Sequence, residues 1–236
     1  KEENPKRNPS HSRNPTPLQR LIPVGGGKDS ALTLGIFDQH QLDYGCLLLA
    51  TNSQNLPAAE KVVSSSQAKQ IIRVNRQIDP TLLKLNQQGF LNGHTPFSAY
   101  LSFLSWLVAY LFNYDQILVA NERSANQENL LYQGKKINHQ YSKSFEYEQN
   151  FRQYQAQSVI NQIEYLSFLR PWYELQIAEA FSKFDRYHHL FKSCNQGQKQ
   201  GLWCHHCPKC LFVFTLLYPF IETDKLTSQV FNQNLF

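Results

Sequence analysis

One short segment near the start of the chain, Leu21-Ile22-Pro23-Val24-Gly25-Gly26-Gly27-Lys28-Asp29-Ser30, constrains the fold more than any other. An apolar run of strand length breaks into three glycines and restarts as a predicted helix. Because glycines lack Cβ atoms, the loop can turn several backbone N–H groups towards one anion, and the helix N-terminus adds partial positive charge. The segment therefore predicts a phosphate-binding loop, to which Lys28 adds a full charge.

Two common nucleotide-binding patterns are excluded by their spacing. A Walker A loop needs Ser or Thr directly after its Lys, where this chain has Asp29, and no G-x-G-x-x-G sequence is present. The alternative interpretation of the segment is a glycine turn that joins a strand to a helix and binds nothing.

The composition fits a globular domain with an anionic ligand. The chain has 236 residues, of which 42% are hydrophobic and 17% charged, and its net charge is +5. This length suits one α/β domain with a full core. Basic residues are scattered rather than gathered in a stripe with aromatic residues, so nucleic acid is not an expected partner. The longest apolar run, residues 97 to 112, is too short to span a bilayer and predicts a buried helix.

The start of the folded region is marked by a change in composition. Residues 1 to 20 hold four prolines and no apolar period, which predicts a disordered linker or tail before a domain at residues 21 to 236. The absence of methionine leads us to expect that an upstream domain is missing from this chain. No secretory signal pattern is visible, which favours the cytoplasm.

The middle of the chain alternates between short apolar runs and helical segments. Strands are predicted at residues 21 to 24, 46 to 49, 71 to 76 and 116 to 120, with helices at about 29 to 39, 58 to 70 and 97 to 113. This alternation predicts an α/β fold with a doubly wound parallel sheet. Beyond residue 126 we expect helices at about 153 to 169, 174 to 184 and 208 to 218. Four aromatic residues at helical spacing are expected in the core, namely Phe97, Tyr100, Phe103 and Trp106.

Two groups of residues follow predicted strands at the sheet edge where open α/β proteins bind ligands. Ala50 and Thr51 follow the second strand, and Asn121, Glu122, Arg123 and Ser124 follow the fourth. We interpret the second group as part of a site, with a plain surface ion pair as the alternative.

Two further stretches carry side chains suited to a site. His94 precedes a predicted helix, and it either helps to start that helix or acts as an acid or base. Tyr141 and Lys143 belong to a polar stretch that is either a solvated loop or a place where Lys143 binds an anionic substrate.

Four cysteines cluster near the end of the chain. Cys194, Cys204, Cys207 and Cys210 are separated by nine, two and two residues, a spacing that predicts a zinc-binding segment at residues 193 to 211. Four thiolates complete a tetrahedral coordination sphere, so the predicted site is structural. The alternatives are disulfides, or a His205 or His206 ligand in place of one thiolate. The fifth cysteine, Cys46, lies in an apolar run and is predicted to be a core thiol.

These motifs carry a family resemblance. The glycine loop resembles the S-G-G-x-D-S loop of the PP-loop ATP pyrophosphatases, with Gly25 in place of the first Ser. Together with the cysteines, it is similar to the branch that includes 7-cyano-7-deazaguanine synthase. Residues 93 to 99, 121 to 126, 139 to 144 and 203 to 210 more closely resemble the UDP-N-acetylmuramoyl-L-alanyl-L-glutamate epimerases of certain bacteria. His205 departs from the small residue more usual after the first cysteine of the C-x-x-C.

The resemblance implies an ATP-dependent epimerase that inverts the terminal L-glutamate of a UDP-linked peptidoglycan precursor and releases AMP and pyrophosphate. It implies ATP, Mg²⁺ and a structural Zn²⁺ as cofactors. We expect the ATP site to comprise Gly25, Gly26, Gly27, Lys28, Asp29, Ser30, Ala50 and Thr51. The expected catalytic residues are Lys28, Asp29, His94, Glu122 and Arg123, and the expected substrate-binding residues are Asn121, Ser124, Tyr141 and Lys143.

Two other functions remain open at this point. One is a different AMP-forming PP-loop enzyme, such as a nucleobase or tRNA modifier. The other is a non-catalytic nucleotide-binding or zinc-organised interaction domain.

Overall fold

The structure is a computed structural model that describes residues 19–51, 56–91, 96–158 and 163–236. The predicted tail, apart from its last two residues, lies outside this part of the chain. The same is true of His94, so its predicted role is not tested by the structure.

A parallel sheet forms the centre of the fold. Its strands are β1 (Arg20–Pro23), β2 (Gly45–Thr51), β3 (Gln70–Arg76), β4 (Gln116–Val119) and β7 (Glu164–Ser167). The strands β5 (Leu130–Tyr132) and β6 (Lys135–Ile137) form a separate hairpin between β4 and β7 in the chain. The order across the sheet is β3-β2-β1-β4-β7, and every neighbouring pair is parallel. Strands added on both sides of β1 confirm the predicted doubly wound parallel sheet.

Helices cover both faces of this sheet. They are α1 (Lys28–Gln39), α2 (Pro57–Ser64), α3 (Pro80–Gln87), α4 (Phe97–Leu111), α5 (Phe145–Ser158), α6 (Glu174–Phe181), α7 (Asp185–His188), α8 (Pro208–Leu217) and α9 (Thr223–Lys225). Strand residues alternate between two cores, so Ile22 packs on the side of α1, α2, α6 and α8, whereas Leu21 packs on the side of α4 and α5. Cys46 is fully buried in the first of these cores, as predicted.

The fifth strand of the sheet was not predicted. Residues 153 to 169 were expected to be helical, but α5 ends at residue 158 and Glu164–Ser167 pairs in parallel with β4. Tyr165 is buried, and its ring lies 5.0 Å from that of Phe151 in an edge-on contact. A strand of four residues offers too few alternations to stand out from the helical pattern before it.

The second helix is also shorter than predicted. It was expected to reach residue 70, but α2 ends at Ser64. Three consecutive serines follow Val63, and the hydroxyl of Ser66 donates to the Val63 carbonyl over 2.7 Å. Such local hydrogen bonds compete with helix continuation, which explains the early end.

The expectation that α4 is a buried helix is wrong. Its buried residues are Ser102, Ser105, Val108 and Ala109, all small or β-branched, which allow the helix to lie close to the sheet. The large side chains point the other way, with Phe103 50% exposed and Leu111 61% exposed. Phe97 and Tyr100 are likewise exposed, and Trp106 is only partly buried. Apolar composition alone did not reveal which face of the helix contacts the core. Among the described residues, no helix combines the length and the apolar character that a membrane crossing needs.

Candidate nucleotide site and cysteine centre

The glycine loop joins β1 to α1 at the carboxyl edge of the sheet. Gly27 is the N-cap residue of α1, and because it has no side chain it forms no capping hydrogen bond with the first helical turn. Gly26 has a φ of +81°, and a Cβ at this position would lie 2.5 Å from the backbone nitrogen of Ala59 in the first turn of α2. Only glycine fits both requirements, so the loop is held closely between two helix N-termini.

Lys28 is the charged centre of this site. Its side chain is buried, and its Nζ lies 2.5 Å from Asp29 Oδ1 and 2.5 Å from Glu174 Oε2. Burial lowers the pKa of Lys28, but the two carboxylates outweigh this effect and the pKa is raised above its ordinary value. Lys28 is therefore positively charged at neutral pH and is held beside the glycine loop.

Glu174 is a site residue that the sequence analysis missed. It is the first residue of α6, and this helix follows β7 in the chain. An acidic residue at a predicted helix start was visible in the sequence, but its position at the sheet edge depends on β7, which was not recognised.

Glu122 adds a third carboxyl group to the site. Burial raises its pKa above the ordinary value of 4.5, and the negative charges of Asp29 and Glu174 raise it further. A carboxyl group with a raised pKa near other carboxylates is typical of groups that exchange protons or bind a cation. The oxygen donors of Asp29, Glu122 and Glu174 are of the chemical type that Mg²⁺ prefers.

Arg170 joins the two loops that contain predicted site residues. Its guanidinium donates to the carbonyl oxygens of Glu122, over 2.8 Å, and Lys143, over 2.5 Å, and also to Ser167 Oγ over 3.0 Å. The segments around residues 122 and 143 therefore meet at the sheet edge. Arg170 itself was missed because its main partners are backbone carbonyls far away in the sequence.

The other predicted substrate residues lie around these two loops. Asn121 donates to Ser167 Oγ over 3.1 Å, and the Ser124 hydroxyl lies 3.4 Å from Glu122 Oε1. Arg123 is exposed, and its guanidinium carbon lies 4.8 Å from the centre of the Tyr173 ring. Because it is exposed, Arg123 is accessible to an anionic ligand. Tyr141 is also exposed, and its hydroxyl donates to Glu146 over 3.2 Å.

Ala50 and Thr51, predicted to follow the second strand, are instead its last two residues, because the strand extends to Thr51. Ala50 is one of the residues that line a space of about 240 Å³ between β2, β3 and α2. Thr51 accepts a hydrogen bond from Arg76 over 3.3 Å. Ser30, another predicted ATP residue, donates its hydroxyl to the Gly27 carbonyl over 3.1 Å. Its backbone N–H lies in the first turn of α1.

The four predicted metal ligands form one compact cluster. All four Sγ atoms lie within 4.8 Å of one another, with distances of 4.0 Å for Cys194–Cys207, 3.8 Å for Cys204–Cys210 and 3.5 Å for Cys207–Cys210. A tetrahedral Zn²⁺ with Zn–S bonds of 2.3 Å requires S···S separations of about 3.8 Å. The thiols therefore fit a zinc ion, and because each of the five cysteines is free, the disulfide alternative is not supported.

Backbone amides favour the thiolate form of Cys194 and Cys207, whereas burial and the neighbouring Cys207 side chain raise the pKa of Cys210. Burial raises the pKa of Cys194, but hydrogen bonds from the amides of Gly197 and Cys204 outweigh it and lower the pKa. Cys207 is affected in the same way, and its pKa falls to about 6. Thiolates are the form that binds a metal ion.

The two histidines beside the cluster bond elsewhere. His205 has a φ of +65°, in the left-handed region that favours glycine, and its Nε2 lies 2.5 Å from the Phe231 carbonyl oxygen. The ring nitrogens of His206 lie 2.6 Å from the Cys204 carbonyl and 2.7 Å from Gln196 Oε1. These contacts do not support a histidine ligand.

The fold and these two sites define an α/β protein with a glycine loop beside a buried, charged lysine and a cysteine centre suited to zinc. The chain belongs to the MurL family, since residues 1–168 match the MurL N-terminal domain and residues 190–236 match the MurL C-terminal domain. This membership confirms the family resemblance carried by the sequence motifs.

Curated relatives support the same assignment. The chain is 35% identical over 224 residues to the UDP-N-acetyl-alpha-D-muramoyl-L-alanyl-L-glutamate epimerase of Xanthomonas oryzae pv. oryzae, with 92% of the chain and 48% of that protein covered. It is 36% identical over 219 residues to the protein of the same name from Salinispora tropica, with 91% and 47% covered. The chain thus spans about half the length of these relatives.

Solved structures show a weaker likeness. NMN synthetase from Francisella tularensis has a TM-score of 0.30 and 15% identity, with 44% of this chain and 45% of that chain covered. A predicted tRNA methyltransferase subunit from Methanocaldococcus jannaschii has a TM-score of 0.37 and 14% identity, with 70% and 76% covered. Because both TM-scores lie below 0.5, these structures say nothing about function.

Proposed function

We propose that this protein is an ATP-dependent epimerase that converts the terminal L-glutamate of UDP-N-acetylmuramoyl-L-alanyl-L-glutamate to D-glutamate. One observation carries the proposal. The buried ammonium of Lys28 lies beside the glycine loop between Asp29 and Glu174, in a chain that belongs to the MurL family. An anion-binding loop, a cation and carboxylates in one place are the elements that an ATP-consuming enzyme requires.

ATP would bind with its phosphates on the glycine loop and its nucleoside towards the cavity beside Ala50. The backbone N–H groups of the loop and the Lys28 ammonium would neutralise charge on the β- and γ-phosphates. Asp29, Glu122 and Glu174 would hold Mg²⁺, which supplies further charge neutralisation when bound. Pyrophosphate is then the leaving group when the substrate carboxylate attacks the α-phosphorus and forms an acyl-adenylate.

This activation explains why ATP is needed for an inversion at carbon. The Cα–H next to a free carboxylate is scarcely acidic, because deprotonation places a second negative charge beside the first. Joining the carboxylate to AMP removes the first charge, so a base can take the Cα proton and an enolate forms. Return of a proton to the opposite face inverts the centre. Water then cleaves the acyl-adenylate into the D-glutamyl carboxylate and AMP.

Glu122 is the candidate for proton transfer or magnesium binding. Its raised pKa brings the carboxyl closer to the pH at which an acid or base exchanges protons efficiently. His94 is the rival candidate. Arg123 and Lys143, on the two loops joined by Arg170, would bind the anionic groups of the UDP-linked peptide. We place the reaction in the cytoplasm, where ATP is plentiful.

The proposed function is tested with ATP, Mg²⁺ and the UDP-linked L-alanyl-L-glutamate substrate. We expect chiral analysis to show D-glutamate in the product, with formation of AMP and pyrophosphate that requires both ATP and the substrate. Release of AMP with a nucleobase or tRNA substrate, and none with the peptide, would instead assign another AMP-forming reaction. ATP binding without AMP release for any substrate would indicate a non-catalytic domain.

A further inference from the structure

The cysteine segment contacts the glycine loop directly. The Lys28 amide donates to Ser193 Oγ over 3.2 Å, and the Lys192 amide donates to the Gly26 carbonyl over 2.8 Å. The side chain of Gln198 donates to the Gly25 carbonyl over 3.0 Å. Three loop residues are therefore held by one segment that lies more than 160 positions further along the chain.

This segment is in turn fixed by the cysteine cluster. Cys194 directly follows Ser193 and is fully buried. Its Sγ accepts hydrogen bonds from the amides of Gly197, over 3.1 Å, and Cys204, over 3.4 Å. Ser193 cannot move away from the glycine loop unless Cys194 leaves the cluster or the backbone between them rearranges.

Ser193 supplies a hydroxyl group that the loop itself lacks. Residues 25 to 27 have no side chains, and the Ser30 hydroxyl is already bonded to the Gly27 carbonyl. Ser193 Oγ accepts the Lys28 amide, so its own proton is available to a phosphate oxygen. The side chain is only partly buried, and a Cβ on Gly27 would come within 3.0 Å of its oxygen. The hydroxyl therefore lies at the mouth of the loop, close to where a phosphate would bind.

We propose that Ser193 binds the β- or γ-phosphate of ATP together with the glycine loop, and that the metal-bound cysteine cluster holds it there. This inference rests on the proposed function, because it concerns how the same site binds ATP. It gives the cysteine centre a role in nucleotide affinity in addition to its structural role.

The first test measures binding of inorganic pyrophosphate and of AMP, each with Mg²⁺, by isothermal titration calorimetry. We expect Ser193→Ala to weaken pyrophosphate binding roughly 10-fold or more, as for the loss of a hydrogen bond to a charged group, and to leave AMP binding unchanged. Ser193→Thr retains the hydroxyl and should restore binding. Ser228→Ala, at an exposed serine whose hydroxyl bonds to the Asp224 carbonyl, serves as the matched control.

The second test compares the two variants Gln198→Ala and Gln200→Ala. Gln198 contacts the loop, whereas Gln200 is exposed on the same turn, so only the first substitution should weaken pyrophosphate binding. Removal of the zinc with a zinc-selective chelator, followed by titration in Mg²⁺, should weaken pyrophosphate binding in the wild type by a larger factor than in Ser193→Ala, where only the Gln198 contact with the loop remains to be lost.

The outcomes separate this inference from the proposed function. Unchanged pyrophosphate affinity in Ser193→Ala, or an equal loss for pyrophosphate and AMP, would overturn the role of Ser193. Equal weakening of both ligands on chelation would overturn the coupling to the cysteine cluster. Failure of the wild type to bind pyrophosphate, AMP or ATP would instead contradict the proposed function.

Discussion

At the scale of single residues, the site depends on how the positive charge of Lys28 is neutralised by its carboxylate partners. Glu174 reaches its ammonium from 146 positions further along the chain, and Asp29 reaches it from the next residue. Phosphates would compete with these carboxylates for Lys28, while Mg²⁺ would compete with Lys28 for the carboxylates. ATP and Mg²⁺ can therefore enter together without leaving an unpaired charge in a partly buried place.

We predict that Lys28→Ala and Asp29→Asn each abolish AMP formation while the fold is retained. Both residues are expected to contact charge that develops on the phosphates, and the loss of such contacts costs roughly 3 kcal/mol or more in the transition state. Lys84→Ala, on the exposed helix α3, is the control. AMP is quantified by chromatography and folding by circular dichroism. Wild-type turnover in either site variant would remove the glycine loop from the mechanism.

Glu122 gives a prediction about stability and pH. Because its pKa is raised in the folded protein, its ionisation costs stability as the pH rises above the ordinary value of 4.5, and the cost is absent at lower pH. Glu122→Gln removes this cost, so its Tm should exceed that of the wild type at pH 7.5, with a difference that vanishes towards pH 4. Activity should be lost in the same variant.

Thermal unfolding followed at several pH values checks this prediction. Glu179→Gln, at an exposed position on α6, should show no such pH-dependent gain. A lower Tm for Glu122→Gln at neutral pH would mean that the Glu122 charge stabilises the fold.

At the scale of structural elements, Arg170 sets the relative position of the loops around Glu122 and Lys143. The guanidinium donates from two separate nitrogens, Nη1 to the Glu122 carbonyl and Nη2 to the Lys143 carbonyl and the Ser167 hydroxyl, whereas a lysine would offer all its donors from one nitrogen. We predict that Arg170→Lys lowers kcat/KM roughly 10-fold or more, mainly through a higher KM for the peptide, with ATP affinity unchanged.

The matched control for Arg170 is Arg152→Lys. Both arginines pair with Glu148, Arg170 over 3.5 Å and Arg152 over 2.7 Å, but Arg152 otherwise donates to the Tyr165 carbonyl of β7 rather than to the loops around Glu122 and Lys143. Steady-state kinetics with each substrate varied in turn separates the two. An equal loss of kcat/KM in both variants would show that the hydrogen bonds of Arg170 contribute only to folding.

The cysteine centre gives a prediction about metal content. We expect one tightly bound zinc per chain, because four thiols lie at separations that suit tetrahedral coordination. Cys207→Ser should lose the metal and disorder residues 193 to 211, whereas Cys46→Ala should keep it. Elemental analysis measures the stoichiometry. A protein purified under reducing conditions without zinc, or with two disulfides by mass spectrometry, would contradict the assignment.

The sequence predicted elements whose signals are local. The apolar run, the three glycines and Lys28 lie within ten residues, so the β1–loop–α1 unit was recognisable, and so was the cysteine cluster. β7 was not, because four residues are too few to show a period, and Glu174 was missed with it. Arg170 was invisible because backbone carbonyls carry no sequence signal. For α4 the sequence predicted a helix, but the small residues that face the sheet were not recognised as the contact surface, so the large apolar residues were wrongly expected to be buried.

At the scale of the whole molecule, the described fold brings together parts that are far apart in the chain. The glycine loop, the loops around Glu122 and Lys143, and the cysteine segment meet around one edge of the parallel sheet. This arrangement joins the glycine loop to a group of titratable side chains. It is the arrangement that activation of a carboxylate followed by proton transfer requires.

The most direct test of the account follows solvent deuterium into the glutamate Cα of the UDP-linked peptide. Because the carboxylate must be adenylated before the proton leaves, we predict incorporation when ATP and Mg²⁺ are present. None is expected without ATP, or with an analogue whose α,β-phosphate bond cannot be cleaved. Nuclear magnetic resonance and mass spectrometry of the recovered glutamate measure the exchange. Incorporation without ATP, or no incorporation with ATP, would contradict an ATP-activated epimerisation.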